Sequence, residues 1–283
     1  MPNANSRLLM TRLLVFFLAV CLSACDQRTK TMSFYYWRTN YAPDSTETKA
    51  LRENDVHTVY VRYFDVDWPE TDTAPSYVSP IHFDTLPTGY ILIPVVFIHN
   101  RVFEKMDSAA SAGLAPKIMT LVSHLNATAH QQPTEIQFDC DWTEKTKDNY
   151  FRFLRQYHSG SDVILSSTIR LHQLKFADSN GVPPVDHGTL LFYTMGNIDS
   201  GGGNAIYERS VAHRYTPSLR TYPLTLDLAL PIFSSPDHLL EMVDEVNRHS
   251  NHRIRNLIFF DLDHKNLLQY DKDIFKEVLD HTD

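Results

Sequence analysis

Glycine is scarce in this 283-residue chain, with 9 residues, three of them in the run 201–203. No periodic glycine means no collagen-like repeat, and 43% hydrophobic with 21% charged residues excludes a disordered chain and a sustained coiled coil. The first apolar run lacks the Gly-rich turn that cradles a dinucleotide, and no GxxxxGK[ST] loop occurs anywhere. Basic residues are also short, with 26 Lys and Arg against 34 Asp and Glu and a formal net charge of −8. A nucleic-acid partner is therefore not expected, because displacing phosphate counterions needs clustered Lys and Arg. HExxH and GxSxG are missing, and no His, Cys or acidic set shows ligand spacing, so neither a metal nor another cofactor is expected.

What is present begins with an address. Arg7 and Arg12 precede an apolar run from Leu13 to Leu22, which ends in Leu22-Ser23-Ala24-Cys25. A positive region, about ten apolar residues and small residues at a cleavage point make a secretory signal, too short to span a bilayer, which takes about 20. Leu-Ser-Ala-Cys resembles a bacterial lipoprotein signal, which implies that Cys25 becomes the lipidated first residue and anchors the protein to a membrane of the cell envelope. The expected organisation is a signal over 1–24, a lipidated Cys and tether over 25–32, and one domain over 33–283. Of the three cysteines, Cys21 leaves with the signal and Cys25 carries lipid, so Cys140 has no disulfide partner in the mature chain. Stability must then come from a core, which a domain of this length can bury.

Past the tether, short runs rich in Val, Ile, Phe, Tyr and Leu fall at 34–37, 58–64, 91–98, 135–141, 163–171, 189–195, 224–232 and 257–263. Such runs read as buried parallel strands. Helix-like segments lie between them near 45–53, 114–127, 145–157, 205–213 and 236–249, with 272–279 last, while the links after the second and fifth runs show no long helix. Eight alternations in about 250 residues predict a single α/β domain, a (β/α)8 TIM-type barrel. A doubly wound open sheet is the alternative architecture.

In a barrel, chemistry sits at the C-terminal strand ends. Three exits read Asp-x-Asp: Asp65 and Asp67, Asp139 and Asp141, and Asp261 and Asp263. Strand period two puts both carboxylates of a pair on one face. Asp139 and Asp141 are the first choice, since Asp139 lies inside an apolar strand where a lone charge is costly, and paired carboxylates raise each other's proton affinity. Asp65 and Asp67 read better as the start of a loop, and Asp at a strand exit is common for capping reasons alone. Asp263 is a candidate second carboxylate across the cleft, with Asp261 a binding group. Arg170 and His172 end the fifth run, Tyr193 and Asn197 surround the sixth, His99, Asn100 and Arg101 follow the third, and Asp227 lies in the seventh. Trp142, directly after Asp141, and Trp68, after Asp67, suit stacking on sugar rings. Cys140 alternates to the opposite face and reads as a core thiol. His249 and His252 read as solvated. The loop 200–204 is a lid or, more simply, a connector.

The segment Phe138-Asp139-Cys140-Asp141-Trp142 resembles the fourth-strand signature of chitinase-like barrels, glycoside hydrolase family 18. The resemblance implies a glycan-handling barrel, with Asp139 and Asp141 on the two aspartates of the Asp-x-Asp-x-Glu motif and Tyr193 on the family's sixth-strand Tyr. Thr143 stands where the family has its general acid Glu, and Glu144 is one residue late, so the substrate-assisted mechanism does not carry over. The segment Gly181-Val182-Pro183-Pro184-Val185-Asp186 is similar to poorly characterised bacterial lipoproteins assigned to such barrels. Two readings follow: an envelope lipoprotein that binds and hydrolyses a glycan through Asp139, Asp141 and Asp263, or a non-catalytic binder of a glycan or envelope protein. A scaffold without a ligand would show a shallow strand-end face and no pocket.

Overall fold

The computed structural model describes residues 30–193, 207–233, 235–250 and 254–282. The signal, Cys25, Asn197, the 200–204 loop and His252 lie outside the described residues, as does part of the 205–213 helix.

Eight strands form the predicted barrel: β1 (Met32–Tyr36), β2 (Thr58–Asp67), β3 (Ile91–Ile98), β4 (Glu135–Asp139), β5 (Ile164–Arg170), β6 (His187–Leu191), β7 (Leu226–Pro231) and β8 (Ile254–Phe260). Each pairs in parallel with the next, and β1 pairs with both β8 and β2, which closes the ring. Closure is what distinguishes this fold from the open-sheet alternative.

The helices form where the sequence offers caps and an apolar stripe. In α1 (Ser45–Glu53), Asp44 accepts from the amides of Thr46 and Glu47, and the Glu47 carboxylate accepts the Asp44 amide in return, a capping box. Helices α2 (Asn100–Lys105) and α3 (Ser108–Thr128) follow β3. In α4 (Lys147–Ser159), Tyr150, Phe153, Leu154 and Tyr157 recur at helical spacing and are buried against the sheet. Two short helices, α5 (Leu171–Lys175) and α6 (Ala177–Asn180), replace a long one after β5. Helix α7 (Arg209–Ala212) leads into a 3-10 turn at Thr216–Arg220, and α8 (Asp237–Ser250) buries Leu239, Met242, Val243 and Val246. Short α9 (His264–Leu267) and α10 (Ile274–Asp280) end the fold.

Strand alternation divides the core in two. Outward residues such as Ile136, Phe138 and Cys140 join the large apolar layer beneath the helices, while Tyr35, Tyr60, Ile93, Val95, Leu191, Ala229 and Ile258 pack inside the barrel. The interior is layered and unusually polar. At its N-terminal end, His187 Nε2 lies 3.2 Å from both Glu135 and Asp227, and Arg255 Nε donates to Asp227 at 3.2 Å. Above it, the Tyr35 hydroxyl donates to Gln137, whose amide donates to Thr189 at 2.9 Å. Asp227 thus belongs to this floor, at the opposite end from the strand exits. Gln137 and Asp227 are hydrogen-bonded, as burial requires, whereas His187 Nδ1 is buried with no hydrogen-bond partner.

Candidate active site at the barrel mouth

The C-terminal strand ends surround an open cavity of about 300 Å³, lined by residues of all but β7, Asp139 at its floor. A shallow face without a pocket, the expectation for a bare scaffold, is not what the fold presents.

Asp139 ends β4 pointing inward, 5% exposed. Its Oδ1 accepts from the Thr168 hydroxyl at 2.6 Å and from Arg170 Nη2 at 3.3 Å. Burial raises its pKa above the ordinary carboxylate value; Asp141 and Asp65 push the same way, and Arg170 and Thr168 oppose it. Arg170 ends β5 and also donates through Nε to Asp141, which is half exposed, so one guanidinium spans both aspartates of the predicted pair. The two carboxylates share the barrel side, as their parity requires, but they meet through a cation and not through a shared proton.

Aromatic rings form the walls. Tyr35 and Trp37 rise from β1, Phe97 from β3, Tyr193 follows β6 and Phe260 ends β8. Phe260 is the hub: Tyr193 stacks on it at 5.5 Å, and Trp37 lies 5.7 Å from it. Burial pushes the Tyr193 phenol above its usual pKa, so it is a neutral hydroxyl at physiological pH. His99 stands beside Phe97, ring centres 4.6 Å apart.

A second Asp–Arg pair faces the same cavity. Asp65 Oδ2 lies 2.6 Å from Arg62 Nη2, and its Oδ1 is buried with no hydrogen-bond partner. The reason Asp65 reaches the mouth is a register shift in β2 between Arg62 and Phe64. The extra residue sends both Tyr63 and Phe64 outward into the helical layer and turns Asp65 inward. Regular alternation from Arg62 would have put Asp65 outside; the sequence reads it instead as the start of a loop, and the structure keeps it within β2. Asp67, by contrast, is held by Arg101 at 2.6 Å; it is the last residue of β2 and not, as expected, part of the loop that follows.

Four predicted site residues fall elsewhere. Trp142 is 0% exposed, stacked on Tyr150 with its Nε1 donating to the Asn180 carbonyl at 3.0 Å. It is a core residue beneath the helices, and its parity is that of Cys140, also buried on that side. Asp263 caps α9 by accepting the Lys265 amide at 2.9 Å and does not line the cavity. Asp261, after a cis Phe260–Asp261 peptide, accepts from Asn266 at 2.8 Å; its pKa is raised by burial and then by Asp263. Both lie past the end of β8 at Phe260, where strand alternation no longer places them. His172 lies on α5 and not on the strand, outside the cavity lining, with burial lowering its pKa. Thr143 and Glu144 are exposed in the turn before α4. Trp68 donates from Nε1 to the Asp72 carbonyl at 2.9 Å within the loop after β2. Of the residues singled out in the sequence, Asp139, Arg170, Tyr193 and His99 line the cavity, and Asp141 lies outside its lining, tied to it through Arg170; Tyr35, Trp37, Arg62, Phe97, Thr168 and Phe260 were not singled out.

No protein-family model and no curated protein matches the sequence. The fold does have solved counterparts. The spore cortex-lytic enzyme SleL of Bacillus cereus aligns at a TM-score of 0.56 and 12% identity, over 90% of this chain and 74% of that one. A chitinase from Rhizomucor miehei aligns at 0.55 and 11%, over 88% and 100%. The xylanase and α-amylase inhibitor protein of Scadoxus multiflorus aligns at 0.51 and 10%, over 89% and 97%. At these identities the likeness is one of fold: the chain is a (β/α)8 barrel whose structural neighbours are chitinase-like and other glycoside-hydrolase barrels.

Proposed function

We propose that this protein is a lipid-anchored envelope protein whose barrel mouth binds a glycan. One observation carries the reading: Trp37, Phe97, Tyr193 and Phe260 wall a cavity floored by the Asp139–Arg170 pair. Pyranose rings offer an apolar C–H face to aromatic planes and hydroxyls to charged acceptors and donors, and this mouth supplies both within one ligand-sized cleft. Asp65 Oδ1, a buried acceptor without a partner, suits a sugar hydroxyl. The Leu22-Ser23-Ala24-Cys25 sequence supports the anchor.

Binding without turnover is the favoured form. Arg170 is ion-paired with both aspartates of the motif, and Thr143, exposed in a turn, offers no acid where the resembling family has Glu. Hydrolysis is the second reading, favoured by the raised pKa of Asp139 and by Asp65 as a second carboxylate on the same cavity. A glycan array followed by a hydrolysis screen on the detergent-solubilised full chain separates them. The binding reading expects capture with no product from wild type. Product from wild type that disappears in Asp139→Asn establishes the second reading, and neither capture nor product on any glycan removes both. Radiolabelled palmitate incorporation, lost in Cys25→Ser, tests the anchor.

A further inference from the structure

Away from the mouth, the outer helical layer gathers three ligand-type side chains. Glu245 and His249 stand one turn apart on α8, and His213 follows directly after α7. Glu245 Oε1 lies 3.1 Å from His213 Nδ1 and 3.7 Å from His249 Nε2, and the ligand atoms of all three fall within 4.8 Å of one another. Donor atoms about 2.1 Å from a tetrahedral ion are roughly 3.4 Å apart, so these separations bracket what one ion requires.

The second observation concerns His249. Its side chain is 12% exposed, yet both ring nitrogens are buried and neither has a hydrogen-bond partner. A neutral imidazole buried with donor and acceptor both unmet is costly, and native folds rarely leave one so. A cation bound at Nε2 would satisfy the orphaned acceptor. His213 is 67% exposed, which leaves an approach from solvent and room for water as a further ligand.

The surrounding groups fix the carboxylate. Thr216 Oγ1 donates to Glu245 Oε1 at 2.7 Å, and Arg248 Nη1 holds Oε2 at 2.8 Å. Arg248 lowers the net charge available to an ion, so the site suits a cation bound through nitrogen more than a hard, oxygen-seeking one. Two imidazoles and one carboxylate match the ligand set of Zn²⁺.

We propose that His213, Glu245 and His249 form a binding site for a zinc-class transition metal, which ties the segment after α7 to α8. The sequence reading expected no metal. A Glu-x3-His pair on an amphipathic helix was visible, but its third ligand lies 32 residues upstream of Glu245 and arrives only through the fold.

Cobalt serves as the probe because its tetrahedral complexes absorb in the visible. Titrating Co²⁺ into the untagged, detergent-solubilised full chain should give saturable absorbance at one ion per chain, displaced by Zn²⁺. His213→Ala, Glu245→Gln and His249→Gln should each weaken uptake by about 100-fold or more. Zn²⁺ should raise the melting temperature of wild type and leave that of His213→Ala unchanged. His213→Ala alters an exposed side chain, so folding does not confound that arm. Absence of saturable uptake by wild type overturns the proposal, as does uptake that survives intact in both His213→Ala and His249→Gln.

Discussion

Replacing Arg170 with Met isolates the charge balance at the mouth. The substitution keeps an apolar stem of similar reach and strands the Asp139 carboxylate, which is 7% exposed, with Thr168 as its remaining partner. Coulomb attraction across 3.3 Å at an effective dielectric of about 20 is about 5 kcal/mol, part of which desolvation of the guanidinium offsets. Removing one member of a buried pair typically costs about 3–5 kcal/mol, and the lower figure applies here because 26% of the Arg170 side chain is exposed and the cavity admits water. A loss of about 3 kcal/mol corresponds to a fall of roughly 6–12 °C in melting temperature for a domain of this size. The pH dependence carries the diagnostic. Asp139 already has a folded pKa above its unfolded value, chiefly through burial, and losing Arg170 raises it further. Such a group binds its proton more tightly when folded, so stability falls as pH rises through that window and returns on acidification. Urea denaturation followed by far-UV circular dichroism should show most of the deficit at about pH 7.5 and much less at about pH 5. Adding Asp139→Asn should restore most of it at the higher pH. An equal deficit at both pH values without rescue would refute the argument that Arg170 stabilises the fold by neutralising Asp139.

Two further substitutions probe the layers around the mouth. At the barrel floor, burial pulls the His187 imidazolium down, but hydrogen bonds to Asp227 and Glu135 outweigh it and push the pKa up to about 9. Its contribution, at most about 3 kcal/mol, is therefore complete below about pH 6.5 and lost as pH rises through about 9; a melting-temperature profile should fall across that range in wild type and flatten in His187→Gln. Trp142→Ala should cost about 3–5 kcal/mol in denaturant titrations, since the side chain is wholly buried, while the folded protein keeps its glycan affinity, the opposite of what a stacking platform would show.

The barrel was legible in the sequence because its strands are short, apolar and separated by amphipathic or capped segments: 45–53 is reproduced to the residue, and all eight runs become strands. Strand parity alone also placed Asp139, Asp141 and Cys140 correctly. The same rule applied to Trp142 puts it outside with Cys140, so that expectation failed through a chemical association between tryptophan and sugar overriding the geometry. Asp65 reads as the start of a loop because nothing local in Tyr63-Phe64-Asp65 announces the extra residue that keeps it in β2 and turns it into the cavity. Trp37, Phe97 and Phe260 looked like any core aromatic; only closure of β8 onto β1 brings them around one cavity. Asp263 was expected to face Asp139 across a cleft, but it obeys the commoner use of Asp after a strand and caps a helix.

The central claim is that the aromatic walls and acidic floor of the mouth bind a carbohydrate. Its most direct test is a glycan array probed with fluorescently labelled full chain, run in parallel for wild type, Trp37→Ala and Asp139→Asn. Trp37 is half-buried at the rim, so its truncation should cost little stability. Wild type should capture at least one glycan, and each substitution should weaken that capture by about 10-fold or more, a loss near 1.4 kcal/mol. Capture of no glycan by wild type, or capture equally strong in both variants, would contradict it.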